Sequence, residues 1–260
     1  MTIKPNNVTI GNPRNITNKS GYDNQPFFHP DKSVLYYVTL DDAEKTNVVE
    51  YDLKTSQSKL FTQTSSDREY SPTVTPDKKF ISCIIQRDSG QQDLGKYPIN
   101  GGAAEVIIDN LTVGYHAWAD DDRLLLFVLG EPNTLRLYSV KDKKNVIMAE
   151  NIGRSLHRIP GTKSVSFIHK ISDDQWVIKK VDEKTGAIVT IVDGIKGSEY
   201  LAWAPDGKIL MSDGKKIFFI DPTRKSFWQE VNIPSAVPLN TISRLAVDPK
   251  GKTLAVVVNE

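Results

Sequence analysis

One phrase recurs six times along this chain, and its spacing restricts the fold more than any other feature. Aligned on a turn residue, the copies are Pro30 (PFFHPDKS), Pro76 (PTVTPDKK), Asp120 (HAWADDDR), Pro160 (LHRIPGTK), Pro205 (LAWAPDGK) and Pro249 (LAVDPKGK). Successive copies are 46, 44, 40, 45 and 44 residues apart. A period in the low-to-mid forties, with several short strands and turns in each repeat, is the signature of a β-propeller built from four-stranded blades. The turn chemistry agrees, because Pro presets φ and Asp or Gly takes the tight positions between two strands.

The expectation is therefore all-β: a six-bladed β-propeller of four-stranded blades, forming a single domain over residues 1–260. Blade one reads as strands at 25–29, 34–40, 47–53 and 59–62, and blade five as strands at 200–204, 209–212, 216–220 and 227–231. The sixth copy has eleven residues after Pro249, enough for one strand at 253–258 and no third. Two short segments ahead of blade one, 7–11 and 14–18, read as a hairpin that supplies the missing pair. A last blade closed two-plus-two by the N-terminal hairpin would leave only short, protected edges. Two residues before the aligned turns stand Phe28, Val74, Trp118, Arg158, Trp203 and Val247, and all but Arg158 suit packing between sheets.

With 33 basic against 32 acidic residues, the chain has no global field to attract nucleic acid or an anionic membrane surface. No apolar run is long enough to cross a bilayer, and the N-terminus lacks the basic-then-apolar pattern of a secretion signal. No membrane insertion is expected. The one cysteine, Cys83, lies in the apolar run from Phe80 to Ile85 and reads as a core filler, with no internal disulfide possible. Sequons at Asn7, Asn15, Asn18 and Asn110 carry meaning only in a eukaryotic secretory context. A Gly-x-Ser-x-Gly elbow, a phosphate-binding glycine loop and a His-Glu-x-x-His helix are all missing, so no cofactor is expected.

The phrase LAWAPDGK, with PTVTPDKK, PFFHPDKS and LAVDPKGK behind it, resembles the W-S-P-D-G repeat of TolB-like six-bladed propellers, and at blade level the resemblance covers the whole chain. Longer phrases, Glu69-Tyr-Ser-Pro72, Gly114-Tyr-His-Ala-Trp118, Leu129-Gly-Glu-Pro-Asn-Thr-Leu135 and Gly153-Arg-Ser-Leu-His-Arg-Ile-Pro160, look like those of stand-alone bacterial members. The resemblance implies a periplasmic or secreted protein, its signal already removed, whose propeller binds a protein or peptide partner or a small ligand. It departs from TolB itself, which carries an α/β domain ahead of the propeller; here twenty-four residues precede blade one.

In a propeller the starts of the inner strands meet around the central channel. Here they read Asn24-Gln25, Tyr70-Ser71, Gly114-Tyr115, Arg154-Ser155, Glu199-Tyr200 and Ser243-Arg244, bordered by loops with Arg87-Asp88, Glu131-Pro-Asn133 and Asp173-Asp174. The candidate binding residues are Glu69, Tyr70, Tyr115, His116, Arg154, His157, Glu199, Tyr200 and Arg244. Arginine can hold a carboxylate by paired hydrogen bonds while tyrosine rings stack on the ligand. Equally, Arg154 and Arg244 can pair with Glu69 and Glu199 to staple blades. The function expected is non-catalytic binding through the channel face.

The alternative is a metal-dependent hydrolase or lyase, with Glu69, His116, His157 and Glu199 as ligands in the channel. His116 and His157 stand four and three residues before their aligned turns, so strand alternation turns them to opposite faces and favours structural histidines. Asp120-Asp-Asp122 occupies a repeat turn and lacks the spaced ligands of a calcium loop.

Overall fold

The second strand of each full repeat is apolar along most of its length because it is covered on both faces, and that burial organises the molecule. The computed structural model describes every residue except 65, 225–226, 235–238, 240 and 260. An N-terminal hairpin, β1 (Thr2–Lys4) and β2 (Asn7–Thr9), precedes five antiparallel four-stranded sheets. They are β3 (Asp23–Phe28), β4 (Val34–Leu40), β5 (Thr46–Asp52) and β6 (Gln57–Leu60); β7 (Arg68–Val74), β8 (Phe80–Gln86), β9 (Gln92–Pro98) and β10 (Glu105–Ile108); and β11 (Val113–Trp118), β12 (Arg123–Val128), β13 (Thr134–Ser139) and β14 (Lys144–Glu150). Next come β15 (Ile152–Arg158), β16 (Val165–Lys170), β17 (Trp176–Val181) and β18 (Ile188–Asp193); and β19 (Leu201–Trp203), β20 (Ile209–Ser212), β21 (Ile217–Ile220) and β22 (Gln229–Glu230). A two-stranded sheet, β23 (Ile242–Val247) and β24 (Leu254–Val258), ends the chain.

The first strands β3, β7, β11, β15, β19 and β23 each contact the next, and β23 returns to β3, so they surround a central axis. Burial falls outward from there: β12 and β20 are almost wholly buried, whereas every residue of β6 and of β22 is exposed. The fold is thus an all-β propeller, with five four-stranded blades rather than the six expected. Among the described residues the sixth position holds only β23 and β24.

The expected two-plus-two closure is also corrected. The strands β1 and β2 pair with each other, and the hairpin's bridge is a parallel one between Thr9 and Asn232. Ile10 N–H donates to Asn232 O at 2.9 Å and Asn232 N–H to Val8 O at 2.9 Å. The hairpin goes there because Val8 is fully buried in an apolar cluster with Leu210, Phe219 and Leu245, between blade five and β23. The expected strand at 14–18 does not form: Asn15 Oδ1 accepts from the N–H groups of Thr17 and Asn18, both at 3.1 Å, and this Asx turn replaces a ladder.

Two of the wedge residues are hydrogen-bonded latches between blades. Trp118 Nε1–H donates to Ser82 Oγ at 2.8 Å, and Trp203 Nε1–H to Ser166 Oγ at 2.8 Å. Each serine lies on the second strand of the preceding blade and donates to a carbonyl of that blade's first strand, Thr73 O at 3.1 Å or His157 O at 3.2 Å. Indole area is thereby buried with its one polar atom satisfied.

The outer turn between β13 and β14 places exposed Lys143 at φ 51°, a left-handed conformation that a side chain resists. Lys143→Gly is expected to raise stability by up to about 1 kcal/mol, the side-chain penalty less glycine's entropy. Urea denaturation checks it; a fall in the midpoint at unchanged slope would refute it.

Candidate functional site

Backbone irregularity brings the channel residues inward. Register shifts interrupt the ladders of five first strands, between Asn24 and Phe27, Tyr70 and Thr73, Val113 and Tyr115, Ile152 and Leu156, and Ile242 and Arg244. Such bulges bend a strand and re-aim its side chains. In the first two, Gln25 and Ser71 are left-handed, at φ 56° and 54°, and Gln25 Oε1 accepts from Ser71 N–H at 2.6 Å. Both stand five residues before their repeat turns, as do Tyr115, Ser155, Tyr200 and Arg244.

Arg244 is the centre of the arrangement. Its Nη2–H donates to Tyr115 Oη and to Tyr200 Oη, each at 3.1 Å, and its guanidinium carbon lies 3.9 Å from the Tyr200 ring centre and 5.4 Å from that of Tyr115. The cation therefore sits in contact with both rings. Among the described residues it forms no ion pair, and its buried Nε has no hydrogen-bond partner. A buried donor without an acceptor is costly and calls for an explanation.

Tyrosines enclose this charge. Tyr22, which the sequence reading passed over, has its phenol pushed up to about 12, first by burial, against the opposing pull of Arg244 and with Tyr115, Tyr70 and Tyr200 as further neighbours. Burial likewise raises Tyr200, again against the opposing pull of Arg244 and with Tyr115 as a further neighbour. Raised in this way, the phenols of Tyr22 and Tyr200 stay protonated at neutral pH. On the rim, Arg154 Nε meets Glu199 Oε2 at 3.3 Å, and Lys170 Nζ pairs with Glu199 Oε1 while lying 4.6 Å over the Trp176 ring. Lys170 also escaped the sequence reading; its position closing β16, one residue from the loop to β17, was the available signal. A cleft of about 230 Å³ opens between blade five and β23, lined by Glu199, Tyr200, Ser212, Asp213, Ser243 and Arg244 among others.

Of the candidate binding residues, Tyr70, Tyr115, Arg154, His157, Glu199, Tyr200 and Arg244 gather at this end of the channel. His157 is lowered to about 4, first by burial and then by the charge of Arg244. Glu69 and His116 lie elsewhere. Glu69 is 0% exposed and accepts from Thr64 Oγ1 at 2.7 Å, Tyr97 Oη at 2.9 Å and Thr62 Oγ1 at 3.3 Å, so it joins blades one and two without an arginine; burial raises its pKa. His116 Nε2 lies 2.7 Å from Ser82 Oγ inside the core and is lowered to about 3 by burial alone. Because that hydroxyl donates to Thr73 O, we assign the Nε2–H tautomer, which leaves the buried Nδ1 as an unpaired acceptor.

The bordering loops tie blades together. Asp88 of blade two meets Lys45 of blade one at 2.5 Å, Arg87 holds Asp67 and Asp93 at 2.8 Å each, and Asn133 Oδ1 accepts from Ile152 N–H of the next blade at 2.9 Å. Asp174 pairs with Lys196. Among the described residues no group of three or more His, Cys, Asp or Glu side chains is placed to hold a metal ion, and Glu69, His116 and Glu199 occupy separate environments. Among the same residues no helix is long and apolar enough to cross a membrane.

No family model and no curated protein matches the sequence. Solved structures do share the fold. A putative TolB from Agrobacterium tumefaciens aligns with a TM-score of 0.73 at 12% identity, covering 95% of this chain and 94% of that one. A putative gluconolactonase aligns at 0.68 with 14% identity, covering 95% and 88%. TolB from Acinetobacter baumannii aligns at 0.62 with 14% identity over 77% of this chain, which spans about half, 52%, of that protein. The chain is thus similar to TolB proteins in having a β-propeller fold.

Proposed function

We propose that this chain is a non-catalytic binding propeller of the bacterial envelope, periplasmic or secreted, that takes a protein, peptide or small ligand at the channel face around Arg244. One observation carries the reading: Arg244 is a cation held against two tyrosine rings, with a buried Nε–H unmet and no carboxylate paired to it among the described residues. A fold that only needed to staple its blades would satisfy that charge internally, as it does for Arg87 with Asp67 and Asp93. The fold shared with TolB proteins supports a role in binding, although fold alone does not give function. The alternative, a metal-dependent hydrolase or lyase, has less support, because its four candidate ligands are spread between two interblade cores, the channel beside Arg244 and the rim.

The test is affinity capture from envelope and soluble fractions of the native host, with the wild-type chain and with Arg154→Glu/Arg244→Glu after thermal melting shows that the variant is folded. A ligand or partner held by the wild type and lost by the variant is the expected result. Capture that ignores the variant would refute the channel face as the binding surface.

A further inference from the structure

The chemistry of the cleft beside Arg244 narrows what it can take, granted the binding role just proposed. Its two carboxylates are already occupied. Glu199 is neutralised by Arg154 and Lys170, and Asp213 Oδ1 accepts from the N–H groups of Lys215 and Lys216 at 2.9 and 2.8 Å. Neither carboxylate is paired with Arg244, whose guanidinium is the cation of the cleft lining.

The donors are also arranged for a planar anion. Nη2 donates to two phenol oxygens, which act there as acceptors and so keep their own O–H protons. Those protons are available to be donated outward beside the guanidinium. Among the described residues Nη1 makes no hydrogen bond with the protein. A guanidinium edge with a neighbouring O–H matches the two oxygens of a carboxylate. At about 230 Å³ the cleft is smaller than sites that enclose a whole small molecule, roughly 300–1,000 Å³, so it suits one end of a ligand.

We infer that this cleft receives a free carboxylate at the end of a ligand, held by Arg244 and the tyrosine hydroxyls bound to it. The same chemistry is offered by a peptide C-terminus and by the terminal unit of an acidic sugar, and the probes distinguish them. Ala-Ala-Leu is compared with its C-terminal amide, and glucuronate with glucose, by saturation-transfer NMR and titration on the full chain, with inorganic phosphate as a further arm. At least one acid is expected to bind about tenfold or more tightly than its neutral counterpart, the value of one charge-assisted pair. Arg244→Met should abolish that preference. Arg123→Met, which removes a guanidinium bound to Asp120 in a repeat turn, should keep it.

Equal binding of acid and neutral forms, binding of phosphate in their place, no binding at millimolar concentration, or a preference that survives Arg244→Met in a folded variant would each overturn the inference. If the acids fail while capture still depends on Arg154 and Arg244, this inference falls and the channel-face reading stands. If capture ignores both residues as well, that reading falls too.

Discussion

Lowering the pH from 6.5 to about 4.5 is expected to remove about 5 kcal/mol of folding stability, through His116 and His157. In the folded chain these side chains titrate at about 3 and about 4, against 6.5 in the unfolded chain. Below pH 6.5 the unfolded state therefore binds two protons that the folded state refuses until near pH 4. Each costs about 1.4 kcal/mol per pH unit. The causes differ: His116 is opposed by burial alone, and its protonation would create an N–H donor at Nδ1 with no acceptor, whereas His157 also faces the charge of Arg244. His29 and His169 are lowered as well, first by burial and then by Lys32 and Lys179 respectively, so all four histidines act with the same sign. His29 Nδ1 is committed as acceptor from Asp31 and Lys32 N–H, both at 3.0 Å. Glu69 acts oppositely, because a raised carboxyl stabilises the folded state as it takes up its proton. Asp120 and Asp182, held down to about 2, lose their contribution only below the unfolded value of 3.8, outside this window. Domains are stable by about 5–15 kcal/mol, so acid unfolding should begin near pH 5. Urea unfolding across the pH series measures it, and His116→Gln/His157→Gln should flatten the slope by two protons. A free energy constant down to pH 4.5 would refute the argument.

The repeat made the propeller legible because both its period and its turn chemistry are local. The ring closure was not, since a short hairpin of alternating residues suits either the edge of β24 or the groove beside blade five. Full burial of Val8 against Leu210, Phe219 and Leu245 decides that choice, and those contacts are remote in sequence. At the site, counting five residues back from each turn finds Tyr115, Tyr200 and Arg244, which the fold does bring together. The same count does not find Tyr22, which precedes the first strand of its blade, or Lys170, which closes the second strand of blade four. Nor does it separate His157 near the axis from His116 in the core, because bulges alter the alternation from which facing is read. The Trp–Ser latches could have been found: a serine interrupts the apolar runs of β8 and β16, six residues after the turn, and the following blade has Trp two residues before its own.

Ser82→Ala is expected to cost about 3–4 kcal/mol and Ser166→Ala about 1–2 kcal/mol, although both serines are fully buried and both receive an indole N–H. The difference is the histidine. Removing the Ser82 hydroxyl strands two buried donors, Trp118 Nε1–H and His116 Nε2–H, in a pocket where both rings are sealed from water. Removing that of Ser166 strands only Trp203 Nε1–H, on a half-buried ring that can reach water by a small shift. An unpaired buried donor costs about 1–3 kcal/mol, so two should cost about twice one. His116→Leu placed on Ser82→Ala removes one of the stranded groups and should recover part of the loss, since deleting both partners of a buried pair is cheaper than deleting one. A double-mutant cycle read by urea denaturation tests this. Equal costs at Ser82 and Ser166, or simple additivity of Ser82→Ala with His116→Leu, would mean that the His116–Ser82 contact at 2.7 Å does not hold the blades together and that the indoles alone do.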